Sequence, residues 1–342
     1  MKKFILKCLC TIFPVMVVIY ACGFYVNFYL IKVLPKAGDL GQLGYFYIDK
    51  SCNTLDVKLL ENRVDTYCDT IQGKYEIMTI GDSFSQQGIT GYQNYLAMEL
   101  DERILNYPDP GGREYSPEEI SLYLLKNGVF AKLGCKIVII ETVERSFVQR
   151  MLDIKNIENL ESGNDVLTKG VPEKKKDCLM ETFKYIKYYL YKSKRPVKEA
   201  QLRTDCFSVS PHNMLYFYKD DLKILSITND ENNEILNKLD YLHNCFLEEG
   251  IGLYYIIAPD KYDVYQSYIV NNPYPPKTVV EQLEENGVGQ LEWFINPRAK
   301  FRKMIDDGVE DIYHIDDTHW TYKASESVGH ILAQKIKDHR RE

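Results

Sequence analysis

The chain has no surplus of positive charge. Its 42 Lys and Arg are outnumbered by 49 Asp and Glu, for a net charge of −7. Nucleic acid needs a basic face to neutralise its phosphates, so it is not expected as a partner. There is no Cys-x-x-Cys pair among the nine cysteines, and their spacings are not those of a zinc site; neither a metal nor a cofactor is expected. Internal repeats and low-complexity tracts are also missing. What remains is ordinary globular material, 45% hydrophobic and 27% charged, in 342 residues. That length suffices for one large domain or two smaller ones. Tyrosine alone is abundant, at 27 residues, with flat faces and hydroxyls that suit sugars.

The N-terminus carries the clearest regional signal. Lys2, Lys3 and Lys7 lead into the apolar stretch "FILKCLCTIFPVMVVIYACGFYVNFYLIKVL", longer than the ~20 residues that span a bilayer. The run continues past Ala21-Cys22 to Leu34, which favours an uncleaved membrane anchor over residues 1–35. Lipidation at Cys22 is the minor alternative, since Tyr20 spoils "IYAC" as a lipobox. The lysines put the N-terminus in the cytoplasm and the rest of the chain outside. In that compartment Cys52, Cys68, Cys135, Cys178, Cys206 and Cys245 can form disulfides. Cys52 with Cys68 is one conceivable bridge, and buried free thiols are the alternative.

Residues 36–75 read as an approach segment, and 76–342 as the main domain. "EIMTI", "RILNY", "CKIVIIETV" and "IGLYYIIAPD" are strand candidates, and "GVEDIYHIDDTHW" adds a last short strand with its exit loop. Between them, "YQNYLAMEL" has helical spacing. "SPEEISLYLLKNG" opens with a capping box at Ser116 and Glu119. "NNEILNKLDYLHNCFLEEG" is a helix stopped at Gly250, and "TYKASESVGHILAQKI" closes the chain as an amphipathic helix. From about 148 to 230 the pattern loosens into a variable insertion, where "VPEKKKDCLMETFKYIKYYLYKSKRPVK" reads as a solvated amphipathic helix. Alternating strands and helices predict an α/β fold with a doubly wound parallel sheet and helices on both faces. Ligands of such sheets bind beyond the carboxyl ends of the strands. Ser83, the 141–145 stretch, the 259–261 stretch and the 316–319 stretch all fall there.

Serine is a poor nucleophile at neutral pH unless an imidazole held by a carboxylate takes its proton. "EIMTIGDSFSQQG" ends a buried strand on Gly81, Asp82 and Ser83, with Ser83 near a helix start whose N–H groups suit an oxyanion. Far along the chain, "DDTHW" offers His319 with Asp316 and Asp317 just before it. Asp82 is read as a structural turn residue. A Gly-Asp-Ser tripeptide alone is most often a turn, and a lone histidine is most often structural. It is the pairing of the two loops at one sheet edge that points to catalysis.

"IGDSFS" resembles the first block of the SGNH (GDSL) hydrolase superfamily, and "DDTHW" is similar to its last block. "VIIETVERSF", "APDKYDVY" and "DTHWTYKAS" look more like the branch of alginate and exopolysaccharide O-acetylation proteins, over roughly residues 76–335. The resemblance implies a flavodoxin-like three-layer sandwich, with Ser83 as nucleophile and His319 as base. Asp-x-His spacing in that branch selects Asp317 as the orienting acid; the usual SGNH spacing, Asp-x-x-His, selects Asp316 instead. The Gly-x-Asn-Asp block is replaced by "ETVER", and "SGND" at Ser162 to Asp165 reads as a loop. Arg145 then resembles an oxyanion- or sugar-binding arginine, or else forms a salt bridge with Glu141 or Glu144. In "NYPDPGG", Gly111 or Gly112 stands where that superfamily supplies an oxyanion N–H. Lys261 resembles a recurrent element of the branch, open to substrate contact or to packing. Serine precedes the Asp/His block here, as in SGNH esterases and unlike the alginate proteins.

The resemblance implies a membrane-anchored, extracytoplasmic O-acetyltransferase acting on a cell-surface polysaccharide, without a cofactor, supplied by a multispanning membrane O-acyltransferase. A carbohydrate or lipid esterase would use the same residues with water as acceptor. A non-catalytic polysaccharide-binding or assembly module is the third reading.

Overall fold

In the computed structural model, residues 2–50, 60–68, 70–109, 115–154, 184–188, 190–191 and 195–341 are described. Short, continuously apolar runs become the strands of a parallel sheet covered on both faces. The strands are β1 (Val64–Thr66), β2 (Ile77–Gly81), β3 (Ile104–Tyr107), β4 (Ile137–Val143), β7 (Gly252–Ala258) and β8 (Phe294–Ile295). They form a 6-stranded sheet in the order β1-β3-β2-β4-β7-β8, with parallel pairing throughout. A separate antiparallel hairpin, β5 (Val197–Gln201) with β6 (Met214–Tyr218), lies in the loosely patterned stretch. Most of the Lys- and Tyr-rich segment there, with "SGND", falls outside the described residues.

Alternation along the strands divides the core. Ile77, Ile104, Ile139 and Ile256 face α3 (Tyr92–Leu100) and the C-terminal helix (Tyr322–His339). Met78, Ile80, Leu105, Val138 and Ile140 face α4 (Pro117–Lys126) and the helix Asn229–Glu248. Period-two side chains of buried strands thus supply two cores from one sheet. Three sequence-predicted boundaries recur. Ser116 and Glu119 form the reciprocal capping box of α4, Gly250 follows the long helix with φ +71°, and "TYKASESVGHILAQKI" is the C-terminal helix, capped by Thr321.

Other expectations change. The predicted strand at 309–314 does not join the sheet; its stretch folds back on itself through a Tyr313–Trp320 antiparallel bridge, and the edge strand is β8 instead. A self-closing loop satisfies its own backbone groups, which leaves no row of donors and acceptors for a sheet neighbour. The 36–75 stretch contributes β1 and a short helix, α2 (Asp39–Gly44), that packs near the chain's other end.

The leading apolar stretch is helix α1 (Lys2–Phe28), with Pro14 inside it. Among the described residues no helix is long and apolar enough to cross a membrane, so the spanning segment expected over residues 1–35 finds no support in the fold. Cys68, Cys135, Cys206 and Cys245 are free thiols; Cys52 and Cys178 lie outside the described residues.

Candidate active site

The chain reverses its winding direction between β2 and β4. β3 is added on one side of β2, β4 on the other. In open α/β sheets the crevice at such a switch point is where ligands bind. Ser83 leaves β2 at that point, in a short turn of 3-10 helix (Ser83–Gln86). Gly81 makes the exit possible, because a Cβ there would collide with Ser85 Oγ and the Glu141 carboxylate. Asp82 locks the turn from below. It accepts Val143 N–H at 2.9 Å and a two-pronged Arg150 guanidinium at 2.6 and 2.9 Å. Beneath lies a buried polar set: Ser85 Oγ donates to Glu141 Oε2 at 2.9 Å and contacts Tyr92 Oη at 3.0 Å. Burial, then the neighbouring Asp82 charge, pushes the Glu141 carboxyl well above the carboxylate range.

The second half of the site is the loop before the C-terminal helix. His314 N–H donates to His319 O at 3.1 Å and Thr321 N–H to Ile312 O at 2.9 Å, closing the loop. Lys261 holds it from inside. Its buried ammonium donates to the carbonyls of His314, Ile315 and Asp317 at 2.6, 2.9 and 3.1 Å. Burial lowers the Lys261 pKa to about 7, against the pull of Asp317, Asp316 and Asp39. Of the two roles left open for Lys261, these contacts are those of packing and pairing.

The two halves meet at the serine. Ser83 Oγ lies 2.6 Å from His319 Nε2, and His319 Nδ1 lies 2.5 Å from Asp317 Oδ1. His319 also donates its backbone N–H to Asp317 Oδ1 at 3.0 Å. Burial opposes ionisation of Asp317, but the His319 bonds and the Asp39 N–H outweigh it and hold this carboxyl well below the usual range. In His319, burial lowers the pKa while the Asp317 hydrogen bond and charge raise it further, for a net rise. Asp316 turns away, toward Gly38 N–H at 2.9 Å and Lys50 Nζ at 2.6 Å. Gln87 fastens the halves together. Its amide nitrogen donates to Trp320 O at 2.7 Å, and its oxygen accepts Trp320 Nε1–H at 2.8 Å and Ser325 Oγ–H at 3.0 Å.

Arg145 reaches neither Glu141 nor Glu144. Its Nη1 lies 2.9 Å from Asp260 and 3.8 Å from Asp221, and its guanidinium sits over the Tyr218 ring. Asp260, Glu144 and Lys277 continue this buried charge set under the crevice. Gly111 and Gly112 lie outside the described residues. The N–H groups of Ser83 and Phe84 precede the first hydrogen bond of their turn, Ser85 N–H to Asp82 O, and are the nearest backbone donors to Ser83 Oγ by sequence.

Sequence reasoning missed Asp39, Thr318 and Gln87. Asp39 accepts Thr318 N–H at 2.7 Å and the Thr318 hydroxyl, but nothing in "PKAGDL" distinguishes it from any loop aspartate. Asp39, Asp317 and His319 bring ligand atoms within 4.8 Å of one another. Both imidazole nitrogens are engaged with Asp317 and Ser83, so the trio reads as a hydrogen-bonded relay and not as a metal centre. No family model, no curated protein and no solved structure matches this chain.

Proposed function

We propose that the chain is a serine-dependent O-acyltransferase that passes an acyl group, acetyl by its resemblance, through Ser83 to a hydroxyl of a cell-surface polysaccharide. The observation that carries the reading is the continuous Ser83–His319–Asp317 relay, at 2.6 and 2.5 Å, beyond the switch point of the sheet. Ser83 Oγ attacks the ester carbonyl as His319 Nε2 takes its proton. The tetrahedral oxyanion faces the Ser83 and Phe84 N–H groups, with Gly111 and Arg145 as further candidate donors. Collapse expels the leaving alkoxide, which receives the proton from His319 and leaves an acyl-Ser83. An acceptor hydroxyl then gives its proton to His319 and attacks the acyl carbon, and collapse of this second intermediate returns the proton from His319 to the departing Ser83 Oγ.

Membrane attachment through α1, with Lys2 and Lys3 on the cytoplasmic side and the sheet domain outside, belongs to the same proposal. It is supported by the exposed apolar side chains Ile12, Phe13, Val15, Met16, Val18 and Phe24. A multispanning membrane acyltransferase would supply the acyl group, because the donor pool of acetyl-CoA is cytoplasmic.

A second reading, hydrolysis with water as acceptor, is favoured by one observation: Ser83 is exposed. Transfer requires that water be excluded or outcompeted. Incubation with p-nitrophenyl acetate should leave an acetyl group on Ser83, seen by peptide mass spectrometry and lost in Ser83→Ala. Adding polysaccharide acceptors should then yield acylated glycan. An adduct with hydrolysis alone selects the esterase. Folded protein with no adduct from several donors selects the non-catalytic module.

A further inference from the structure

The short helix that follows α1 lies directly on the catalytic loop, and the contact is built closely. A Cβ at Gly38 would lie 2.5 Å from Asp316 O and 2.8 Å from Asp317 Cβ, so only glycine admits this approach. Gly41 N–H donates to Asp316 O at 3.0 Å. The next contacts are reciprocal. Asp39 N–H donates to Asp317 Oδ2 at 3.1 Å, while the Asp39 carboxylate accepts both the N–H and the hydroxyl of Thr318. One oxygen of Asp39 stands 3.9 Å from His319 Nδ1.

We propose that Asp39 is a positioning residue for the His319 base, clamping Thr318 and setting a second negative charge beside the imidazole that Asp317 orients. The inference rests on the serine-relay reading above. Asp317 has two oxygens to satisfy; His319 takes one and the Asp39 backbone the other, which fixes the carboxylate plane. Thr318 lies between acid and base, so anchoring it fixes their separation.

The charged and polar groups facing His319 are Ser83, Asp317, Asp39 and Arg145, with the Phe84 ring packed on the imidazole. Lys261 and Lys50 act from behind the loop, through the carbonyls and through Asp316, and His314 stands near both lysines. After burial and Asp317, the Asp39 charge is the next influence on His319 and raises its pKa, while Arg145 lowers it.

The test uses the full chain in detergent with ring-labelled histidine. The His319 titration is followed by NMR, assigned by His319→Gln, in parallel with the pH profile of p-nitrophenyl acetate turnover. Asp39→Asn should lower the His319 midpoint by about one pH unit, with the acid limb of activity moving alongside. Asp39→Glu should restore most of that shift. Thr318→Val, which keeps the charge and the backbone N–H but removes the hydroxyl anchor, should move the midpoint the same way by less. An unmoved midpoint in both Asp39→Asn and Thr318→Val overturns the proposal, and Thr318→Val decides alone if Asp39→Asn does not fold. Because the NMR titration needs no turnover, the two failures are distinguishable: a wild-type chain inert toward esters would sink the serine-transfer reading, and an unmoved midpoint would overturn the role of Asp39 alone.

Discussion

At Asp317, burial and hydrogen bonding act in opposite directions, and the hydrogen bonds win. The folded pKa lies below 3.8, so this contribution to stability is present above that pH and lost as pH falls toward the folded value. His319 is the mirror case. Its folded pKa lies above 6.5, so the charged pair stabilises the fold below 6.5 and the contribution fades as pH rises through the folded value. The proposed mechanism needs the neutral imidazole, so ester turnover should fall on the acid side with a midpoint above 6.5, measured as kcat/KM against pH. Asp317→Asn should lower kcat by roughly 10³–10⁴-fold by leaving the ring in the wrong tautomer. Asp316→Asn should leave most of the rate and instead lower stability by about 1–2 kcal/mol in denaturant titration, since its partners are Lys50 and Gly38 N–H. Serine, histidine and both acids were legible in the sequence because acid–base chemistry restricts residue type. Of the two acids, the Asp-x-His spacing favoured Asp317, and the loop's geometry sets Asp317 against His319 while Asp316 turns to Gly38 and Lys50. Asp39 and Gln87 were not legible, because their partners lie 279 and 233 residues away in sequence.

Two packed elements hold the halves of the site in register. α3, which follows the serine turn, packs on the C-terminal helix, which follows His319, across Gly329. A Cβ there would lie 2.7 Å from Tyr95 Cβ and 2.9 Å from Tyr92 O. Gly329→Val should therefore cost about 1–3 kcal/mol or more, read as a fall in Tm, with loss of turnover as the helices separate. Gln87→Ala tests the other fastening. It strands the indole N–H of fully buried Trp320, costs about 1–3 kcal/mol, and should reduce kcat more than it changes KM. Strands β2, β3, β4 and β7 were readable as apolar runs, because burial on both faces removes any polar alternation. β1 and β8 are three and two residues long, too short for a periodic signal. The run "DIYHI" looked like a strand because Ile312, Tyr313 and Ile315 are buried, yet they are buried in a loop that closes on itself.

Across the whole molecule, the first fifty residues and the last thirty are joined at the site. Gly38, Asp39, Gly41 and Lys50 all bond the Asp316–Thr318 loop. A chain shortened to begin at Leu34 should keep ester turnover and, on the proposed attachment through α1, lose only its affinity for lipid vesicles, measured by flotation. One shortened to begin at Leu60 should lose roughly 10²-fold in turnover, because the loop carrying acid and base is no longer held in place. Equal turnover in the two would show that the N-terminal segment is dispensable to the chemistry. The sequence suggested an anchor followed by an approach, since the leading apolar stretch and the sheet domain differ so sharply in composition. It held no sign that the approach segment bonds the Asp316–Thr318 loop.

The path from α1 to Asp39 has little slack. Residues Tyr29–Val33 and Leu34–Lys36 continue as helical turns, and only the extended Ala37 separates them from Gly38. A load pulling on the helix reaches the Gly38–Asp316 and Asp39–Thr318 bonds before it reaches any strand of the sheet. Tension along α1 would act first on the Asp316–Thr318 loop, so that on the proposed function a pull on the helix becomes a mechanical input to the chemistry.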